Sequence, residues 1–121
     1  MGEKVERKTY DLEDRTKEFA RNVRNFIKKL PKTIANIEDG KQLVRSSGSV
    51  AANYIEANES LSKKDFVMRV KISRKEAKES RLWLELVDCG NAESLDKERK
   101  ALLQEATELM MIMSSIMRKS Q

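Results

Sequence analysis

The segment from Ser62 to Cys89 carries three separate stripes at helical spacing, and few folds accommodate a helix marked in that way. At 100° per residue, Phe66, Val70, Ser73, Ala77, Ser80, Leu84 and Val87 share one face. Met68, Ile72, Trp83 and Leu86 share another, and Lys71, Arg74, Lys78 and Arg81 run on the side away from the first stripe. A helix serving only its own domain needs one apolar stripe. The second calls for a partner helix or subunit, and the basic row points to an anionic ligand.

Three further segments read as helices. Asp11 looks like an N-cap, and Leu12, Thr16, Phe19, Val23, Phe26 and Leu30 follow at alternating spacings of four and three, giving a helix over Asp11–Leu30 that Pro31 ends. Pro31–Gly40 reads as a connection, with a second helix starting near Asp39–Lys41. In it Leu43, Ser47, Val50, Tyr54 and Ala57 form one seam, and Val44, Gly48, Ala51 and Ile55 a second beside it. The run Ser46-Ser47-Gly48-Ser49 has poor helix propensity, which close approach of another helix would explain. Ser62 with Asp65 caps the third helix, and Gly90 after Cys89 reads as its stop. The fourth runs from Leu95 to Arg118, with Leu95, Leu102, Ala106, Leu109, Met113 and Ile116 on one face and Leu103, Met110 and Met117 extending it. Four amphipathic helices with short connections predict an all-α, antiparallel up-and-down four-helix bundle over 11–118, between flexible segments 1–10 and 119–121.

The chain has 121 residues, 25 Lys plus Arg against 20 Asp plus Glu, one Cys and no His. Without histidine, zinc sets, Ser-His and Cys-His pairs and the Glu-x-x-His pairs of di-iron bundles cannot be assembled. No phosphate-binding glycine loop is present. Glu56 and Glu59 read as solvated helix-end carboxylates, and Cys89, near a helix C-terminus, as structural. The expectation is a non-enzyme without metal or cofactor. No apolar run is long enough to span a bilayer and no secretory leader is visible, so a cytoplasmic protein without membrane contact is expected.

Two sets of residues are candidates for binding. Lys17, Arg21, Arg24 and Lys28 share a face of the first helix; Lys64, Lys71, Lys75 and Lys78 share one of the third, with Arg74 and Arg81 beside it. Glu76, Glu79 and Glu85 are near enough to pair with some of them. Such rows suit phosphate backbone, and the few aromatics argue against base-specific reading of a single strand. Candidates for a subunit interface are Met68, Ile72, Trp83 and Leu86, with core-edge packing the other reading of Trp83, together with Met110, Met113 and Met117 in the methionine-rich end of the fourth helix, where Met111 also lies and where core packing is the first reading.

The stretch Gln42-Leu43-Val44-Arg45-Ser46-Ser47-Gly48-Ser49-Val50-Ala51-Ala52-Asn53-Tyr54-Ile55-Glu56-Ala57 resembles the motif Q-I-x-R-(A/S)-x-x-S-(I/V)-x-x-N-(I/Y)-x-E-(A/G). Ser62-Lys63-Lys64-Asp65-Phe66 is similar to S-K-K-(D/E)-F, and Lys75–Leu84 to K-E-x-x-E-S-x-x-W-L. These mark the four-helix-bundle family of 23S ribosomal RNA intervening-sequence proteins, which includes accessory proteins of diversity-generating retroelements. Many members carry Pro where this chain has Ala51 and Gly where it has Ala57, departures that suggest a subgroup. The resemblance implies a ring, commonly of five subunits, with a basic surface. For the retroelement members it implies nucleic-acid association beside a reverse transcriptase. Gln42, Arg45, Ser49, Asn53 and Glu56 match the motif and are expected to orient helices or subunits. The function expected is a homo-oligomer binding structured RNA or DNA through its phosphates; the alternative is an adaptor acting through protein contacts alone.

Overall fold

The computed structural model describes residues 2–120, with side chains from residue 12 to residue 120. Four helices, α1 (Gly2–Ile27), α2 (Ile34–Asn58), α3 (Lys63–Leu86) and α4 (Glu93–Lys119), follow one another with connections of four to six residues. Each packs on its chain neighbours, and α1 also meets α4, while among the described residues the diagonal pairs do not touch. That is the up-and-down bundle the stripes predict.

The principal stripes are buried as expected. Thr16, Phe19, Val23 and Phe26 from α1, Leu43, Val50, Tyr54 and Ala57 from α2, and Leu95, Leu102, Ala106 and Leu109 from α4 enclose the core. Val70, Ser73, Ala77, Ser80 and Leu84 supply it from α3. Met113, on the core face by its spacing and also named as an interface candidate, belongs to the interior: it is fully buried with Tyr54, Ala57 and Val70. Met110 and Met117 are half-buried, packed against the two core clusters respectively, as flexible unbranched side chains can be.

The small residues of α2 have the predicted cause. Ser46 and Ser80 are both buried with their Oγ atoms 2.8 Å apart, and Ser73 Oγ donates to the Val50 carbonyl at 2.8 Å. Where these serines face one another α2 and α3 come close, and each of the three hydroxyls finds a partner.

Four boundaries differ from expectation. The first helix does not start at Asp11: its backbone continues to Gly2 through residues rich in Glu, Lys and Arg that favour helix. Its far end stops at Ile27, and Lys29 N–H and Leu30 N–H bond back three residues, to Phe26 and Ile27, in a tightened turn. Pro31 enforces this by disfavouring helical conformation in the residue before it. The second helix begins at Ile34, not near Asp39: Thr33, extended at φ −85°, accepts the Asn36 N–H and caps it. The third ends at Leu86, so Val87, extended at φ −65°, Asp88 and Cys89 lie in the connection and Gly90, at φ +66°, turns the chain instead of capping the helix. Its start is as expected, with Ser62 accepting the Asp65 N–H at 3.1 Å. Of the residues expected to fray, Arg118 and Lys119 belong to α4 and the Ser120 N–H bonds back to the Ile116 and Met117 carbonyls, while Gln121 lies outside the described residues.

The two connections at the α1–α2 and α3–α4 end are tied by one buried side chain. Asn36 Nδ2 donates to the Pro31 and Asp88 carbonyls at 2.9 and 2.8 Å, and its Oδ1 accepts the Asp88 N–H at 2.9 Å.

Candidate nucleic-acid interface

Because α1 and α3 are diagonal, their basic rows stand on opposite sides of the bundle and form no common surface. The α1 row is largely engaged. Lys17 pairs with Asp14 at 3.6 Å and Arg21 with Glu18 at 3.3 Å. Arg24 lays its guanidinium over Gly48, donating to the Ala20 and Val44 carbonyls at 3.0 and 3.4 Å; a Cβ on Gly48 would lie 3.2 Å from Nη2. Lys28 is exposed at the helix end.

The α3 row differs. Lys64, Lys71, Lys75 and Lys78 are exposed and Arg74 and Arg81 half-buried, and within the described residues none has a carboxylate within 4.0 Å. Two of the expected partners on the same helix, Glu76 and Glu79, are occupied elsewhere, while Glu85 is exposed and makes no ion pair among the described residues. Arg45, reaching across from α2, pairs with Glu76 at 3.1 Å and with Glu79, and Trp83 Nε1 donates to Glu79 at 3.2 Å. Burial by itself would raise the Glu79 carboxyl, but the hydrogen bonds from Trp83 and Arg45 and the charges of Arg45 and Lys75 prevail and hold it below its ordinary range. Hydrogen bonds to Glu76 and Glu79 raise the Arg45 guanidinium in turn. A shallow groove of about 460 Å³ lies outside, lined by Lys75, Lys78, Glu79, Arg81, Leu82 and Glu85, and the Arg81 Nε is buried without a partner. The row therefore keeps a net positive field that phosphate oxygens can use.

The lowered Glu79 pKa predicts a pH dependence with a definite sign. A carboxyl depressed by folding stabilises the folded state at neutral pH, and that contribution is lost as pH falls from its ordinary 4.5 through the lowered value. Melts from about pH 6 to about pH 3 should show Tm falling more steeply in the native chain than in Glu79→Gln, with Trp83, the one tryptophan, shifting its emission over the same interval. Parallel pH profiles would contradict the assignment.

The motif positions divide. Arg45 ties α2 to α3 as described. Asn53 donates to the Ser49 carbonyl and hydroxyl at 2.9 Å and accepts from Arg69 at 3.3 Å, another α2–α3 bridge. Gln42 and Glu56 are exposed and their side chains make no hydrogen bond among the described residues. Of the second α3 stripe, Ile72 and Trp83 are half-buried, while Met68 and Leu86 remain 48% and 56% exposed; Leu82, absent from the sequence candidates, joins them at 46%. Arg15 also escaped notice in the sequence: it clamps α1 to α4 through Glu105 at 2.7 and 2.8 Å and Glu108 at 2.7 Å, bonds that raise its guanidinium. Among the described residues, no three carboxylate or thiol groups gather closely enough to hold a metal ion, and no helix is long and apolar enough to cross a membrane.

The sequence model described as 23S rRNA-intervening sequence protein matches residues 8–115. A crystal structure of a protein of unknown function from the S23 ribosomal protein family of Bacteroides thetaiotaomicron superposes with a TM-score of 0.74 at 28% identity, covering 88% of this chain and 97% of that one. No curated protein matches.

Proposed function

The chain belongs to the 23S rRNA-intervening sequence protein family, and from that premise we propose that it is a non-enzymatic, cytoplasmic homo-oligomer that binds structured RNA or DNA through the α3 basic row. The single observation behind this reading is the row's freedom: Arg45 holds Glu76 and Glu79, leaving Lys71, Arg74, Lys78 and Arg81 without carboxylate partners. Repeated around a ring, five subunits by the family resemblance, the row becomes an extended positive surface. Recognition is of phosphate backbone, since Trp83 is half-buried and bonded to Glu79 rather than free to stack on a base. In a retroelement setting the same surface would present nucleic acid to a reverse transcriptase.

Fluorescence anisotropy with duplex RNA and duplex DNA tests this. Four phosphate contacts give an affinity falling ~100-fold between about 50 and 200 mM salt. Lys71→Glu, Arg74→Glu, Lys78→Glu and Arg81→Glu together should weaken binding at least tenfold and flatten that slope. Absence of binding at the lower salt, or equal binding by the fourfold variant, would sink the reading. The competing one, an adaptor contacting other proteins, draws on Met68, Leu82 and Leu86 exposed along the same helix; it expects the fourfold variant to keep its partner.

A further inference from the structure

Two carboxylates lie within the stretch of α3 that carries the basic row, and both turn toward α2. Glu76 keeps only 15% of its side chain exposed and Glu79 31%. Both meet one guanidinium, that of Arg45, whose fork donates to Glu76 at 3.1 and 3.5 Å and also to Glu79. Arg45 is itself 51% exposed, a surface residue whose charged head is spent on two acids. Lys75 stands four residues before Glu79, the spacing at which two side chains on a helix meet. Its charge acts on Glu79, yet among the described residues the one cation bonded to that carboxylate is Arg45. Partial burial makes both acids consequential, because a carboxylate withdrawn from water is weakly screened and acts strongly on its neighbours. Without a counter-charge from α2, Glu79 would close on Lys75, and Glu76 would set a second negative charge beside the same lysine.

We propose that Arg45 is a positioning residue for nucleic-acid binding: by engaging Glu76 and Glu79 from α2, it keeps Lys75 and Lys78 available to phosphate without touching the nucleic acid itself. This role rests on the binding proposed above and extends it to a residue outside the row, on the neighbouring helix. It also separates two tasks that one ion pair can serve. Holding α2 to α3 needs only the bond, whereas freeing the row needs the two negative charges to be neutralised.

Anisotropy titrations of the intact chain with duplex RNA, at low and high salt, test it. Arg45→Gln should weaken binding ~threefold or more at low salt and reduce the slope against log salt by about one, the loss of one phosphate contact. Arg45→Gln combined with Glu76→Gln and Glu79→Gln should bind at least as tightly as the wild type. The ion pairs are still absent from that triple variant, so recovery there does not come from a restored bridge. Arg45→Gln combined with Glu56→Gln and Glu59→Gln, exposed acids toward the far end of α2, makes the same change in net charge and should stay weak. Unchanged binding by Arg45→Gln overturns the role. So does a triple variant that stays weak, because Arg45 would then touch phosphate itself, and so does recovery through Glu56 and Glu59, which would reduce the effect to net charge. Each of these leaves the binding function standing. A wild-type chain that does not bind at low salt overturns both.

Discussion

Asn36→Leu should lower the stability of the bundle by about 3–5 kcal/mol, a large fraction of what a domain of this size has. The leucine matches the volume but removes three hydrogen bonds at once. The Pro31 and Asp88 carbonyls and the Asp88 N–H, all met by one side chain that is 4% exposed, are left facing a methyl group. Each polar group stranded in such a corner costs about 1–3 kcal/mol. Asn36→Asp makes the reason visible. It keeps the acceptor for Asp88 N–H but turns toward two carbonyls an oxygen where an amide had donated, so at neutral pH it should lose as much. Urea titrations should show both midpoints falling; a loss below about 1 kcal/mol would mean that water reaches the corner and replaces the amide.

The second large effect is expected from Ser80→Leu. The hydroxyl of Ser80 lies 2.8 Å from that of Ser46 and donates to the Glu76 carbonyl at 3.0 Å, with both serines fully buried between α2 and α3. A leucine there has nowhere to go without separating the helices, and separation also pulls Ser73 from the Val50 carbonyl and Arg45 from Glu76 and Glu79. Overpacking alone costs about 1–3 kcal/mol, and the lost bonds bring the total to about 3–4 kcal/mol. Ser80→Ala is the control. It keeps the close approach, and Ser46 keeps the Leu43 carbonyl as an acceptor, so about 1 kcal/mol is expected. Should alanine and leucine cost the same, the hydroxyl pair rather than the narrowness of the seam would be what matters.

The bundle was legible in the sequence because burial repeats locally: Thr16, Phe19, Val23 and Phe26, or Val70, Ser73, Ala77 and Ser80, are spaced by the helix itself. The start of α2 was not. Its first turns carry Ile34 and Ile37 outward, so no stripe marks them, and the cap at Thr33 rests on one hydroxyl. The Thr33-x-x-Asn36 spacing after Pro31 was the available signal. The methionine-rich end was legible in part: Met113 stands at core-face spacing, but a helix end apolar almost all round leaves a partner face open as well until Tyr54 and Val70 are brought against it. The freedom of the α3 row was invisible from neighbours in sequence, which place Glu76 and Glu79 beside its lysines. Only the fold delivers Arg45, 31 residues earlier than Glu76, to claim them.

The four helix interfaces are unequal, and that gives the bundle a preferred line of opening. Helices α2 and α3, joined by a four-residue turn, share the most extensive packing, whereas α1 and α4, distant along the chain, touch least and leave a groove of about 730 Å³ over Phe19 and Leu102. Closing the α2–α3 hairpin costs little loop entropy, and opening the α1–α4 seam sacrifices little buried surface. Transient excursions of the native state are therefore expected to begin at that seam, with Arg15 releasing Glu105 and Glu108. Amide protons of α1 and α4 would exchange through such openings while those of α2 and α3 stay protected. The basic row is thus carried by the hairpin that yields last, and its spacing outlasts the breathing of the rest.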